Sequence, residues 1–300
     1  MVKEMWGFPV ALYLFVGGLT AASHYISVLA DLSRKEKFKN IARAGSYAVL
    51  IPITIGLLML IIDLGQPLRF WHLLFQLGPL HRGLILTISP MSIGTWVLVF
   101  FSFICGVFYP LFWLAEERFA RNTLLAVLAG KERLRRIVGI CGLPFSIIVA
   151  AYTGVLLATS GQPVWASTPL LPVLFVISAT STGFAAVMLM TWFLAREDRE
   201  ALATLEKGDN LIIKLEIVIV AILFAILFFF PEASPIVRDL LFGTYAVLFW
   251  LGFVGPALVL PLFMQKQSFT THTQRLIVPA ALLVLIGGFY LRFIVLLGTG

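Results

Sequence analysis

The sequence predicts an all-α, polytopic membrane protein of eight transmembrane helices, arranged as two four-helix bundles within one integral membrane domain over residues 1–300. Three observations predict it. Hydrophobic residues make up 60% of the chain and charged residues 12%, whereas a soluble domain carries about a quarter charged residues. Apolar runs of about 20 residues follow one another, each long enough to cross roughly 30 Å of hydrocarbon. The basic residues gather in alternate connecting loops, as they do beside the spans of multi-pass proteins.

The expected spans are residues 9–30, 46–64, 90–114, 137–159, 170–194, 211–230, 238–264 and 276–297. The first is not a secretory signal. Met1–Met5 holds one Lys and one Glu, the apolar run beyond is too long for a signal core, and the basic charge follows it. Between spans 1 and 2 stand Arg34, Lys35, Lys37, Lys39 and Arg43; between spans 3 and 4, Arg118, Arg121, Lys131, Arg133, Arg135 and Arg136. Arg196, Arg199 and Lys207 lie between spans 5 and 6, and Lys266 and Arg275 between spans 7 and 8. The remaining loops hold only Arg69 and Arg82, then none, then Arg238. This asymmetry predicts that both termini lie on the outer, periplasmic side of the cytoplasmic membrane. It also accounts for the net charge of +7 without nucleic acid as a partner. The partner it implies is the lipid bilayer.

The loop from Asp63 to Ser89 is apolar and aromatic, and Arg69, Trp71 and His72 within it suit an interfacial segment or a docking surface for an external partner. Gly17-Gly18-Leu-Thr20-Ala-Ala in span 1 echoes Ser181-Thr182-Gly183-Phe-Ala-Ala in span 5. Small residues permit close helix packing, which explains both without a duplication, though a duplication of four-helix halves also accounts for them.

Ionisable and hydrogen-bonding groups inside a bilayer are costly, so each calls for a reason. At about 1.5 Å rise per residue, Tyr13, Asp63, Tyr152, Ser178, Thr182 and Arg292 all fall towards the outer side. Each also has a structural reading: Tyr13 as a belt residue, Arg292 snorkelling outward or paired with Asp63, the acid expected at its depth. His24 and Glu216 form an inner set, Glu216 about one turn inside the expected span 6. They are candidate steps of a proton path together with Asp63, or hydrogen-bonded core residues.

Cys105 and Cys141 lie in apolar stretches and read as small hydrophobic thiols in helix interfaces. Two thiols cannot hold an iron–sulfur cluster, which needs about four. Haem is disfavoured because only His24 of the four histidines lies well inside a span, leaving no pair of axial ligands. No metal-ligand pattern, phosphate-binding glycine loop or nucleophile triad is present as a motif.

Four blocks carry a resemblance: Pro9-Val-Ala-Leu-Tyr13-Leu-Phe-Val-Gly17-Gly18, Asp63-Leu-Gly-Gln-Pro67-Leu-Arg69-Phe-Trp71-His72, Ser89-Pro90-Met91-Ser92-Ile-Gly94-Thr95-Trp96 and Gly287-Gly288-Phe-Tyr-Leu-Arg292. In this order they resemble the NrfD/PsrC family, the membrane subunits of polysulfide-reductase-like enzymes. The resemblance implies a haem-free anchor that binds menaquinone or another quinone. It also implies a periplasmic, ferredoxin-like subunit with four iron–sulfur clusters and a molybdopterin catalytic subunit as partners. Tyr152 matches the family tyrosine that contacts quinone, while Tyr13 and Val10 stand where polysulfide reductase has a histidine and an asparagine. Asp63 matches an acidic family position. On this reading Tyr13 and Tyr152 hold a quinone headgroup with Ser178 and Thr182 nearby, and Asp63 and Arg292 relay protons. The rival readings are a proton-coupled transporter and a structural anchor without a quinone site of its own.

Overall fold

The computed structural model describes residues 8–63, 90–117, 124–158, 169–231, 233–271 and 274–297. Among the described residues eight helices are long and apolar enough to cross a membrane: span 1 (Phe8–Leu32), span 2 (Glu36–Ile62), span 3 (Ser92–Glu116), span 4 (Glu132–Ala158), span 5 (Leu170–Leu194), span 6 (Arg199–Phe229), span 7 (Leu248–Ser268) and span 8 (Ile277–Leu296). The protein is a multi-pass, all-helical integral membrane protein. Successive spans reverse direction, so Phe8 and Leu296 share one face, here the terminal face. The other, the basic face, carries the links rich in Lys and Arg.

Every expected span is present, but three begin earlier than the hydropathy suggests. Spans 2, 4 and 6 start at Glu36, Glu132 and Arg199 rather than at 46, 137 and 211. Their first turns are polar yet helical, because a helix leaving the bilayer keeps its backbone bonds and changes only its side chains. The start of span 6 is fixed by Asp198, whose side chain accepts from Ala201 N at 3.0 Å, satisfying a donor of the first turn. Span 7 starts later than expected. Residues Ser234–Phe242 form a separate short helix that opens on Pro235 and stops at Gly243.

Spans 1–4 and spans 5–8 each build a core. In the first, Ala21, Ala22, Val49, Ile53, Phe101, Cys105, Val149 and Ala150 pack together. The second joins Leu174, Met188, Leu205, Ile213, Val220, Phe249, Phe253, Ala257, Val284 and Leu291. Spans 1 and 5 cross at the seam. A methyl group on Gly18 would meet the Ala179 side chain at 3.1 Å, and one on Gly183 would collide with Ala22. The two small-residue motifs noted in the sequence are thus faces of one close helix crossing.

Spans 3 and 7 each contain a π-helical segment, Ser102–Phe108 and Leu248–Val259. Pro110 follows the first and Pro256 lies within the second. Proline lacks the N–H that an α-helical turn needs and its ring crowds the carbonyl four residues back, which a wider turn relieves.

The basic face of the first bundle is closed by ion pairs. Arg135 Nε and Nη2 donate to Asp31 Oδ2 and Oδ1 at 3.0 and 2.9 Å, Nη1 donates to Glu116 at 2.8 Å, and the guanidinium lies 3.7 Å from the Trp113 ring centre. Spans 1, 3 and 4 are pinned together there. Cys105 is buried and Cys141 exposed, both as free thiols. Cys141 therefore faces outward, not into a helix interface as the sequence suggested.

Candidate functional site

Arg292 is the most demanding residue in the protein, a fully buried guanidinium inside a membrane span. Side chains on a helix lean towards its N-terminus, and the N-terminus of span 8 lies on the basic face. Arg292 accordingly turns inward: Nη1 donates to the Gly288 carbonyl, one turn back, at 2.6 Å and to Ser178 Oγ at 3.3 Å. Outward snorkelling, one of the two structural readings the sequence left for it, does not occur. The rings of Phe15 and Phe175 flank the guanidinium at 5.6 and 5.5 Å. Gly18 makes room for it, since an added methyl would stand 3.1 Å from Nη2.

The acid in electrostatic contact with Arg292 is Glu216 of span 6, which lies beside Ser178. The sequence reading placed Glu216 in an inner set near the basic interface, because span 6 was expected to begin at 211. With the helix starting at Arg199, Glu216 sits near the middle of the span and is 1% exposed. The group remains incompletely paired: Glu216 Oε1 and Arg292 Nε and Nη2 are buried without hydrogen-bond partners among the described residues.

Two further acids continue along the same face of span 6. Asp209, fully buried, accepts from Ser181 Oγ at 2.9 Å and from Gln265 Nε2 at 2.7 Å. Gln265 in turn accepts from Asn210 Nδ2 at 3.0 Å. Glu206, buried nearer the basic face, accepts from Ser268 Oγ at 3.4 Å. With span 6 expected to begin at 211, both acids fall outside the expected spans. The missed signal is the spacing 206, 209, 213, 216, 220, 223, 227, which places them on the helical face that carries Ile213, Val220, Leu223 and Leu227 into the core.

The two tyrosines occupy the layer nearer the terminal face, about 8–9 Å from their helix ends at 1.5 Å per residue. Tyr152 is half-buried on span 4, and its ring fills the space left by the missing side chain of Gly94 on span 3. Tyr13 packs against a cluster of Val10, Leu14, Leu157, Leu171, Phe175 and Leu296. The phenols share a level but have different neighbours. Thr182 directs its hydroxyl to the Ser178 and Ala179 carbonyls of its own helix at 3.0 Å each, with its methyl against Gly288. It acts in packing. Ser178, one turn away, is the member of this pair that meets Arg292.

His24 lies in the other bundle. Its Nε2 donates to the Gly139 carbonyl at 3.3 Å, and its ring stands edge-on to Tyr109 and Phe101. It does not join the Glu216 group. Asp63 ends the helix that forms span 2 at the terminal face. Its side chain, with Arg69, Trp71 and His72, lies outside the described residues. Among the described residues no group of three or more His, Cys, Asp or Glu is placed to hold a metal ion.

Eight apolar spans around a buried charged cluster define a class: a helical membrane protein with polar chemistry inside the bilayer. The comparison with known families gives the rest. Residues 2–299 match the family described as "Polysulphide reductase, NrfD", and the chain belongs to it. It is 30% identical to a component of the polysulfide reductase of Wolinella succinogenes, over 97% of this chain and 93% of that protein. It is 25% identical to the NrfD homolog of Haemophilus influenzae, again over 97% and 93%. With a component of the selenate reductase of Mesobacillus selenatarsenatis it shares 24% identity, over 86% of this chain and 66% of that protein.

Proposed function

We propose that this protein is the membrane anchor of a reductase complex, that it binds a quinone, menaquinone or another, and that it exchanges electrons between the quinone pool and an iron–sulfur subunit docked on the terminal face. A molybdopterin subunit is the remaining partner, and the terminal face is periplasmic on the inner membrane. The relatives support the coarser part, since two of them are named as components of polysulfide and selenate reductases.

The observation that carries the finer part is the incomplete Arg292–Ser178–Glu216 group. A charged group in the bilayer interior without full pairing is costly, and three of its buried polar atoms have no partner among the described residues. A polar guest or water entering from the tyrosine layer completes it. The residues present therefore fit a quinone headgroup: phenols of Tyr13 and Tyr152 to donate to its oxygens, with a guanidinium about one turn deeper to favour negative charge. When bound, the quinone supplies two-electron, two-proton chemistry. The chain supplies orientation, an apolar surround and a proton route.

For that route we assign Glu216, then Asp209 about 10 Å further along span 6, then Glu206 towards the basic face, where the sequence reading had named Asp63, His24 and Glu216. Glu216 is common to both, and Asp63 remains a candidate for exchange on the terminal side. His24 is left out because its ring nitrogen is held by Gly139, while Tyr109 beside it donates to Asp31 at 3.4 Å and Asp31 is closed by Arg135.

The test uses the native complex in liposomes loaded with a quinol. Turnover with an electron acceptor of the partner subunit is expected to fall in Tyr152→Phe and Arg292→Gln at unchanged assembly. Asp209→Asn is expected to diminish proton release to the basic side more than electron transfer. Solute flux by the purified protein alone, with no partner and no dependence on quinone, would favour the transporter reading and overturn this one.

A further inference from the structure

The link between spans 6 and 7 carries a feature that electron exchange does not use. The helix Ser234–Phe242 lies in this link, between the end of span 6 and the start of span 7. Its inner side is set by Val237, 1% exposed, with Leu240 and Leu241 against the core of the second bundle. Trp250 Nε1 donates to the Leu241 carbonyl at 3.0 Å and ties the helix end to span 7. Its outer side presents Pro235, Arg238 and Phe242, at helical spacing on one stripe.

Arg238 is unusual for its place. The sequence holds few basic residues on this side, and an arginine against that bias calls for a reason. Its guanidinium rests over the Phe228 ring at 5.5 Å. The neighbouring acid does not neutralise it, since Asp239 Oδ1 accepts from Thr244 N at 2.9 Å and no ion pair to Arg238 occurs among the described residues. Phe242 stands at the site, 82% exposed, and Phe229, next in the chain to the Phe228 ring under the guanidinium, is 85% exposed. Beside Phe242 opens a shallow cavity of about 570 Å³ lined by Pro231, Ser234, Pro235, Arg238, Asp239 and Phe242, among others.

A cation at the membrane boundary, an apolar rim on the lipid side and a cavity between them match one kind of molecule. We infer that this cavity is a binding site for an anionic phospholipid, whose phosphate meets Arg238 and whose acyl chains run along Phe229 and Phe242. The occupant is a lipid and not a partner subunit, because the flanking rings are fully apolar and stand where spans 6 and 7 meet the bilayer edge. The inference is independent of the quinone reading.

The experiment titrates purified, delipidated protein in detergent with phosphatidylglycerol and counts bound lipid by native mass spectrometry. Wild type is expected to keep one lipid that Arg238→Gln holds about fivefold more weakly. Phe242→Ser is expected to weaken the same lipid, and Arg275→Gln, an exposed cation on the basic face, to leave it unchanged. Equal retention by wild type and Arg238→Gln would overturn the assignment. So would a loss of equal size in Arg275→Gln, which would mark general charge attraction, or retention of phosphatidylcholine as tight as that of phosphatidylglycerol. A further contrary result is Arg238→Gln keeping its lipid while losing the partner subunits, which would make this face a protein interface.

Discussion

In the bundle of spans 1–4, Arg135 gives three nitrogens to Asp31 and Glu116 and rests on Trp113, three residues into span 4 at the basic face. In the bundle of spans 5–8, Arg292 lies far deeper, reaches among the described residues Ser178 and Gly288 through one nitrogen, and faces Glu216 without closing on it. Both arginines are buried, and both hold helices together. The difference lies in what is left over. A closed network near the interface is a fastening, because every charge has its counter-charge and nothing further is recruited. An open one at depth holds a surplus of polarity that only a ligand or water relieves.

The comparison can be broken by asking whether the two arginines fail in different ways. The largest effect on stability is expected at the fastening. Asp31→Ala leaves the buried Arg135 with Glu116 as its remaining acid and costs about 3 kcal/mol, seen as a lower thermal midpoint and membrane yield, with turnover per folded molecule intact. Arg292→Gln should instead cut quinol-linked turnover by about 100-fold with a smaller change in midpoint. A midpoint loss as large as that of Asp31→Ala would make Arg292 a second fastening.

Smaller effects sharpen the tyrosine layer. Gly94→Ala drives a methyl into the Tyr152 ring and is expected to destabilise by about 1–3 kcal/mol, measured by thermal unfolding in detergent. Tyr152→Phe keeps the ring on Gly94 and removes only the hydroxyl. Its turnover should fall about tenfold, near 1.4 kcal/mol, with a smaller change in midpoint than that of Gly94→Ala. Thr182→Val should change stability by only about 0.6 kcal/mol and leave turnover as it was, because the hydroxyl serves its own helix. A clear loss of turnover there would return Thr182 to the quinone site.

All eight spans were legible in the sequence because hydropathy over 20 residues is a strong signal. The polar first turns of spans 2, 4 and 6 were not, since a charged turn reads the same whether it is helix or loop. That one ambiguity had a chemical consequence. Starting span 6 at 211 placed Glu216 near the interface and hid Asp209 and Glu206, so Asp63 was the only acid offered to Arg292. The depth of Arg292 was visible; its inward turn follows from helix polarity and a known chain direction. Ser178 and Thr182 look alike in sequence, and only the neighbouring helices distinguish the residue that meets Arg292 from the one that packs on Gly288. The Asp63–His72 block, the most specific part of the family resemblance, lies outside the described residues apart from the helical end at Asp63.

The most direct test of the open-cluster account is the affinity of the purified protein for a quinone analogue, titrated by fluorescence quenching in wild type, Arg292→Gln and Asp31→Asn at matched folded fraction. The account predicts binding in wild type and Asp31→Asn with the same affinity, and binding at least about tenfold weaker in Arg292→Gln. Equal affinity in wild type and Arg292→Gln would contradict it.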